Sequence, residues 1–334
     1  MFELITALVR YLFACLLVSS TIFIAVFSDT AAMFVFRTLF KDAPVKPEYP
    51  LNFLKDIFME KTTISPSAVI TISLYGPACA FAALLPVCAV IPFFSFIPIM
   101  DNGADLLQIA QLLLLSDVIA IISVGALGVS GSITTVKVMF KESISQILPL
   151  VVFFVSVSAY VNVDGLSADV FSLASLQSLS DTYTKVPILF YVGICIFCFV
   201  ILSQLPHKDY KTPIYFLKPG ELAEYKGMPR FLMTSRSLFR SFILTAIVVD
   251  IFFPLMRFIL PTPNLPVSWL AQLSVYIEFW TIVILARSIL VTLSWLLFDK
   301  INALLPRNLR PALVPVLTFL AAALVFFRTA LWQI

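Results

Sequence analysis

Histidine occurs once in this chain, at position 207, and glycine only nine times in 334 residues. The single His207 excludes a His-based metal centre or a Cys–His dyad and reads as the mark of a helix end at the water boundary. Nine glycines leave no G-x-x-x-G pair and no phosphate-cradling loop. They also leave none of the Gly-broken inverted repeats that surround the binding sites of many secondary transporters. Charge is scarce too: 12% of residues are charged, against about 25% in soluble domains, while 60% are hydrophobic and the mean hydropathy is +1.02. These values define an integral membrane protein, and the small net charge of +3 gives no sign of nucleic-acid binding.

The five cysteines (Cys15, Cys79, Cys88, Cys195, Cys198) all lie in apolar runs. Cys195 and Cys198 form a C-x-x-C, but it sits within YVGICIFCFV without a nearby His, Asp or third Cys. Packing as small hydrophobes accounts for them, and no metal site is expected. No nucleophile–base pair appears anywhere, so the chain by itself is expected to perform no bond chemistry. A basic n-region and a cleavage site are both lacking around Glu3, which makes the first apolar run a retained span.

About 20 apolar residues cross the hydrocarbon core as a helix. Eight stretches qualify: Ile5–Phe27, Ala68–Pro92, Leu106–Val129, Ile144–Val163, Val186–Leu205, Phe239–Phe258, Leu270–Leu297 and Pro311–Leu331. The fold class expected is therefore an all-α membrane protein of about eight transmembrane helices in one domain over residues 1–334. Pro77 and Pro86 predict a kink or break in the second span.

Of 22 basic residues, 17 fall in the connectors after spans one, three, five and seven, and only Lys185, Arg257 and Arg328 fall on the other side. This asymmetry predicts cytoplasmic odd-numbered connectors and both termini outside, in a multi-pass protein of the cell membrane. Within the first connector, residues 49–61 repeat Leu51, Phe53, Leu54, Ile57 and Phe58 at helical spacing, as an interfacial amphipathic helix does. The Ser-rich stretch from Asp164 to Lys185 reads as an external loop. Residues 206–236 form a long polar connector on the cytoplasmic side; its core, HKDYKTPIYFLKPGELAEYKGMPR, holds eight of the chain's 41 charged residues.

Asp117, Asp250 and Glu278 lie deep inside predicted spans. A carboxylate there costs at least about 2.5–3.5 kcal/mol on insertion scales, so each needs a bound proton, a paired cation or a water-filled path. They are candidates for an ion-coupling axis, or else hydrogen-bonded packing residues between helices. Arg257 is close enough to Asp250 in sequence to neutralise it in part. Arg287 lies nine residues from Glu278 on the opposite helix face, and Arg287 and Arg10 both read as snorkelling near span ends.

The polar connector carries Lys211-Thr-Pro213-Ile-Tyr215, then Glu221, then Glu224-Tyr225-Lys-Gly227. This order resembles a shortened cytoplasmic loop of the membrane subunit shared by respiratory complex I and the energy-converting [NiFe] hydrogenases, including formate hydrogenlyase. In that family the loop reads approximately K-x-P-F-D, an acidic helix, then E-Y-S-G. The resemblance implies eight spans in this orientation and an amphipathic helix after the first. It also implies a basic residue after the third span, followed by a Glu before a Pro, where this chain has Lys137, Gln146 and Pro149. The departures are Tyr215 for the family's Asp, Lys137 for its Arg, Gln146 for its Glu, and a missing R-x-G-P signature. They remove groups that line the quinone pocket and the start of the proton path in that family.

The function implied is that of a membrane-arm connector, a non-catalytic subunit of an oxidoreductase complex that couples electron transfer to H⁺ or Na⁺ translocation. Glu221 and Glu224 would join Asp117, Asp250 and Glu278 as ion-coupling candidates. Lys211, Pro213, Tyr215, Tyr225, Gly227, Lys137 and Gln146 would belong to the docking region. The chain would bind no cofactor. Its partners would be hydrogenase-like large and small subunits, with iron–sulfur clusters and a NiFe centre among them, and antiporter-like membrane subunits. The alternatives are a stand-alone ion transporter using the three membrane acids, or an architectural anchor whose proton path has decayed.

Overall fold

The computed structural model describes residues 25–28, 31, 55, 58–62, 66–90, 106–163, 188–205, 225–252, 281–282, 284–285, 287–306 and 308–331. Among them every regular element is helical. In a lipid-like sequence this follows from the backbone, because a helix satisfies its own N–H and C=O groups within one segment. We number the helices α1 (Ile70–Ala82), α2 (Leu85–Val90), α3 (Leu106–Gly125), α4 (Ser130–Val163), α5 (Ile188–Ser203), α6 (Met228–Phe252), α7 (Thr292–Leu304) and α8 (Leu313–Leu331). A π-turn, Arg287–Val291, leads into α7, and a 3₁₀ turn, Arg310–Ala312, leads into α8.

Among the described residues four stretches are long and apolar enough to cross a membrane: Ile70–Val87, Leu107–Gly125, Gly131–Ser156 and Met228–Val248. The last is 83% buried, against 28–44% for the others, which makes α6 the central helix of the bundle. α3 packs on α1 and α4, α6 on α1, and α8 on α4 and α5. Phe153 of α4 meets Phe197 of α5 edge-on at 5.1 Å, and Phe81 of α1 lies 5.8 Å from Phe239 of α6. Where α5 crosses α8, Gly193 lets the backbones approach: a Cβ there would sit 3.0 Å from the Ala321 carbonyl.

The second span does break. α1 runs through Pro77 and ends at Ala82, and α2 starts at Leu85, one residue before Pro86. The break falls at Pro86 because a proline fits the first turn of a helix but cannot continue one. Three other boundaries differ from the hydropathy reading. α4 begins at Ser130 and extends about 50 Å at 1.5 Å per residue, so Lys137 and Lys141 are exposed residues of a helix that outruns the apolar stretch. α7 continues past Leu297 through Asp299 and Lys300 to Leu304. α6 begins eleven residues before Phe239, so the last part of the 206–236 connector is helix. Of the amphipathic segment 49–61, Lys55, Phe58 and Met59 are described and helical; its other apolar positions lie outside the described residues.

At one end of the bundle the chain is pinned by two glycines with positive φ. Gly128 (φ +67°) turns α3 into α4 against the Ser67 carbonyl, and the neighbouring Val69 amide donates to the Ala126 carbonyl at 2.8 Å. Gly227 (φ +66°) precedes α6 and lies against Glu60 and Thr62. A Cβ at Gly227 would stand 2.6–2.8 Å from Thr62 Oγ1, the Glu60 carbonyl and the Thr62 amide.

Candidate functional site

Three helices each contribute two polar residues to a common point. α3 supplies Ser116 and Asp117, α4 supplies Ser143 and Gln146, and α6 supplies Arg236 and Arg240. Residues three or four apart share a helix face, so the α4 and α6 pairs each point one way once their helices are packed, whereas Ser116 and Asp117 are adjacent and are both reached by the Arg236 guanidinium. All six are buried, with Asp117 5%, Arg236 6% and Arg240 7% exposed.

Asp117 is the hub. Its Oδ1 accepts from Arg236 Nη2; its Oδ2 accepts from Arg240 Nη2 at 2.7 Å and from Ser143 Oγ at 2.5 Å. Arg236 also donates through Nε to Ser116 Oγ at 2.8 Å, and that hydroxyl donates to the Ala80 carbonyl of α1 at 2.7 Å. Arg240 Nη1 donates to Gln146 Oε1, and Gln146 Nε2 donates to the Gln204 carbonyl, just past α5, at 2.7 Å. One polar network thus ties five parts of the bundle together. Of the three ways a carboxylate can persist in such a helix, the structure shows the paired cation, supplied twice.

Asp117 lies about 12 Å along α3 from Gly125 and about 16 Å from Leu106 at 1.5 Å per residue, which places the cluster in the middle of the helix. In this setting a charge is held only by partners, because bulk water is not there to solvate it. Arg236 and Arg240 are therefore not the connector cations that counting along the sequence made them. The signal available was their i, i+4 spacing beside Leu238, Phe239 and Phe242, together with an acid at Asp117 that needed a counter-charge. The positive asymmetry between connectors remains without them.

The second feature is a clasp at the head of α6. Tyr225 is fully buried; its Oη donates to the Ser123 carbonyl at 2.7 Å and shares a hydrogen bond with Ser123 Oγ at 2.8 Å. Two α-turns separate Ser123 from Ser116 and Asp117, so the tyrosine anchors the approach to α6 on the same helix that carries the cluster's carboxylate. Gly227, the Met228 amide donating to Thr62 Oγ1 at 3.4 Å, the Arg230–Glu60 pair at 3.6 Å and the Phe58–Phe231 contact at 5.3 Å extend the clasp to residues 58–62.

Burial raises the Tyr225 pKa, partly opposed by the Ser123 hydrogen bond. Its stabilising effect is accordingly complete below the ordinary tyrosine value of 10 and is lost as pH rises above it. Tyr225→Phe is expected to cost about 1–2 kcal/mol, since it removes the hydroxyl bonded to Ser123 and leaves a buried carbonyl without that donor. Thermal unfolding of the purified protein at neutral pH and above pH 10 checks both points: the variant should unfold earlier and lose the alkaline component.

Among the remaining sequence candidates, Lys137 is exposed on α4 and away from the network, whereas Gln146 is part of it. Lys211, Pro213, Tyr215, Glu221, Glu224 and Glu278 lie outside the described residues. Asp250 falls within α6, and its side chain is likewise outside the description. No group of three or more His, Cys, Asp or Glu side chains that could hold a metal is found among the described residues. Cys195 is exposed and Cys198 buried on α5.

Apolar helices long enough to cross a bilayer, threaded by a buried charge network, define an all-helical membrane protein. In fold the chain is similar to a chain of the membrane-bound sulfane sulfur reductase, an archaeal respiratory membrane complex. The likeness has a TM-score of 0.63 at 15% identity and covers 95% of this chain and 99% of the other. What is shared at that identity is the fold. No family model matches the chain, and no curated protein sequence matches it.

Proposed function

We propose that this chain is a membrane subunit of a respiratory complex, acting as the connector between a soluble redox module and ion-translocating membrane subunits. The observation that carries the reading is the end-to-end fold likeness to a chain of a respiratory membrane complex. A match over nearly the whole of both chains reproduces an entire subunit, whereas a shared helical hairpin would reproduce only a part. The resemblance of Glu224-Tyr225-Lys-Gly227 to a loop of complex I and of the energy-converting hydrogenases supports it from the sequence.

In this reading residues 206–227 and 49–61 face the cytoplasm and receive the redox module. Movement there is passed through the Tyr225–Ser123 and Gly227–Thr62 contacts to α6, and along α6 to Arg236 and Arg240. The Asp117 cluster is then the element that responds inside the bilayer, with H⁺ or Na⁺ as the ion moved. Its partners would carry the iron–sulfur and NiFe centres.

Affinity purification of the tagged chain from native membranes in a mild detergent tests the assignment. Iron–sulfur and antiporter-like subunits are expected to co-purify in fixed ratio. A monodisperse single polypeptide would overturn the reading.

A further inference from the structure

Among the described residues the buried cluster does not balance its own charge. Two guanidiniums, Arg236 and Arg240, face one carboxylate, Asp117, and the other members, Ser116, Ser143, Gln146 and Gln204, are neutral. The excess is one positive charge in a part of the molecule where an uncompensated ion is strongly unfavourable.

The two arginines differ in one respect that locates the deficit. Arg236 Nε has an acceptor, Ser116 Oγ, at 2.8 Å. Arg240 Nε, equally buried, has none, although Arg240 Nη1 and Nη2 are both engaged. The neighbours do not supply one: the Asp117 oxygens accept from Arg236 Nη2, Arg240 Nη2 and Ser143 Oγ, and the Gln146 carbonyl oxygen accepts from Arg240 Nη1. An excess charge and an unused donor therefore coincide on one side chain. A guanidinium N–H donates strongly to compact anions and carboxylates.

We propose that Arg240, held by Asp117 and Gln146, binds one compact monovalent anion at its Nε edge, and that this anion completes the charge balance of the cluster. The shared chemistry is a single negative charge on a halide or a carboxylate. It comes from solution as a free ion.

Gln146 makes the idea testable with almost no change of shape. A carboxylate at this position would provide the missing negative charge through an oxygen that already accepts from Arg240, so Gln146→Glu should remove the requirement for an added anion. Arg240→Gln should remove it in another way, by leaving Asp117 and Arg236 as a neutral pair.

The experiment follows thermal unfolding of the full chain in lipid nanodiscs at fixed pH and ionic strength. Chloride or formate is titrated in place of the bulky anion isethionate. The wild type is expected to show a saturable rise of the unfolding midpoint, as ligand linkage requires, and Gln146→Glu and Arg240→Gln are expected to show none. Two results overturn it: an Arg240→Gln or Gln146→Glu protein that responds as fully as the wild type, or indifference in the wild type. Anion binding belongs to the chain alone, so its failure would leave the subunit assignment intact, and the loss of co-purifying subunits would leave anion binding intact.

Discussion

Asp117→Asn is expected to be the most damaging single substitution in the described part of the chain, costing about 3–5 kcal/mol, as breaking a buried ion pair typically does. The amide keeps the shape of the carboxylate but removes the charge that both Arg236 Nη2 and Arg240 Nη2 face. It leaves two buried guanidiniums with no counter-ion among the described residues. Arg240→Gln should cost less, because it leaves Asp117 bonded to Arg236 and Ser143 and removes the excess charge at the same time. The charge count then predicts a partial rescue: Asp117→Asn combined with Arg240→Gln returns the cluster to the wild-type excess of one and should unfold later than Asp117→Asn alone. Fluorescence-detected size exclusion after a heating series in mild detergent reads all three. An Asp117→Asn protein as heat-resistant as the wild type would mean that the ion pairs do not hold α3 to α6.

Gly227→Ala is expected to produce the second-largest loss, about 2 kcal/mol or more. The φ of +66° requires a left-handed conformation, which costs a residue with a Cβ roughly 1–2 kcal/mol. The added methyl would also lie 2.7 Å from the Glu60 carbonyl and 2.8 Å from the Thr62 amide, which are backbone atoms and cannot swing aside. Thr62→Ala in the same protein should restore little, since it removes only the Oγ1 contact. Lys226→Ala, one residue away on an exposed side chain, is the matched control and should unfold like the wild type. Limited proteolysis gives a second readout: cleavage near residues 60–62 should quicken in Gly227→Ala as the segment leaves its seat. Equal protection in variant and wild type would show that the clasp does not depend on the glycine.

Both substitutions act on α6, by different routes. Asp117 sets the charge around its middle, and Gly227 sets the way the chain enters it. Tyr225, two residues before Gly227, bonds to Ser123 on the helix that carries Asp117. Under the proposed connector role, the same contacts would make α6 responsive to whatever docks at that end.

Much of the helical scaffold was legible in the sequence. Long apolar runs in a chain with 12% charge leave little choice but helices, and Pro86 marks where one of them had to break. The need of Asp117 for a partner was also legible, because a carboxylate inside an apolar run is costly whatever surrounds it. Gln146 entered as a position where a resemblance pointed to Glu, and packing gave it a physical role as the acceptor for Arg240. Boundaries were less legible: hydropathy locates the apolar middle of a helix, and α4, α6 and α7 all continue into polar sequence where hydrogen bonding along the backbone still favours the helix.

What the sequence by itself determined is the class of molecule and the presence of a charge problem within it. What only the tertiary structure decided is the solution. Arg236 and Arg240 lie 119 and 123 residues from Asp117, and linear reading placed them among connector cations because they follow the most polar stretch of the chain. Packing α6 against α1 turned the same two residues inward, where their long side chains reach α3 and α4, and made them the counter-ions. An ion pair in a low-dielectric interior depends on separation in space, and separation along the chain carries no information about it.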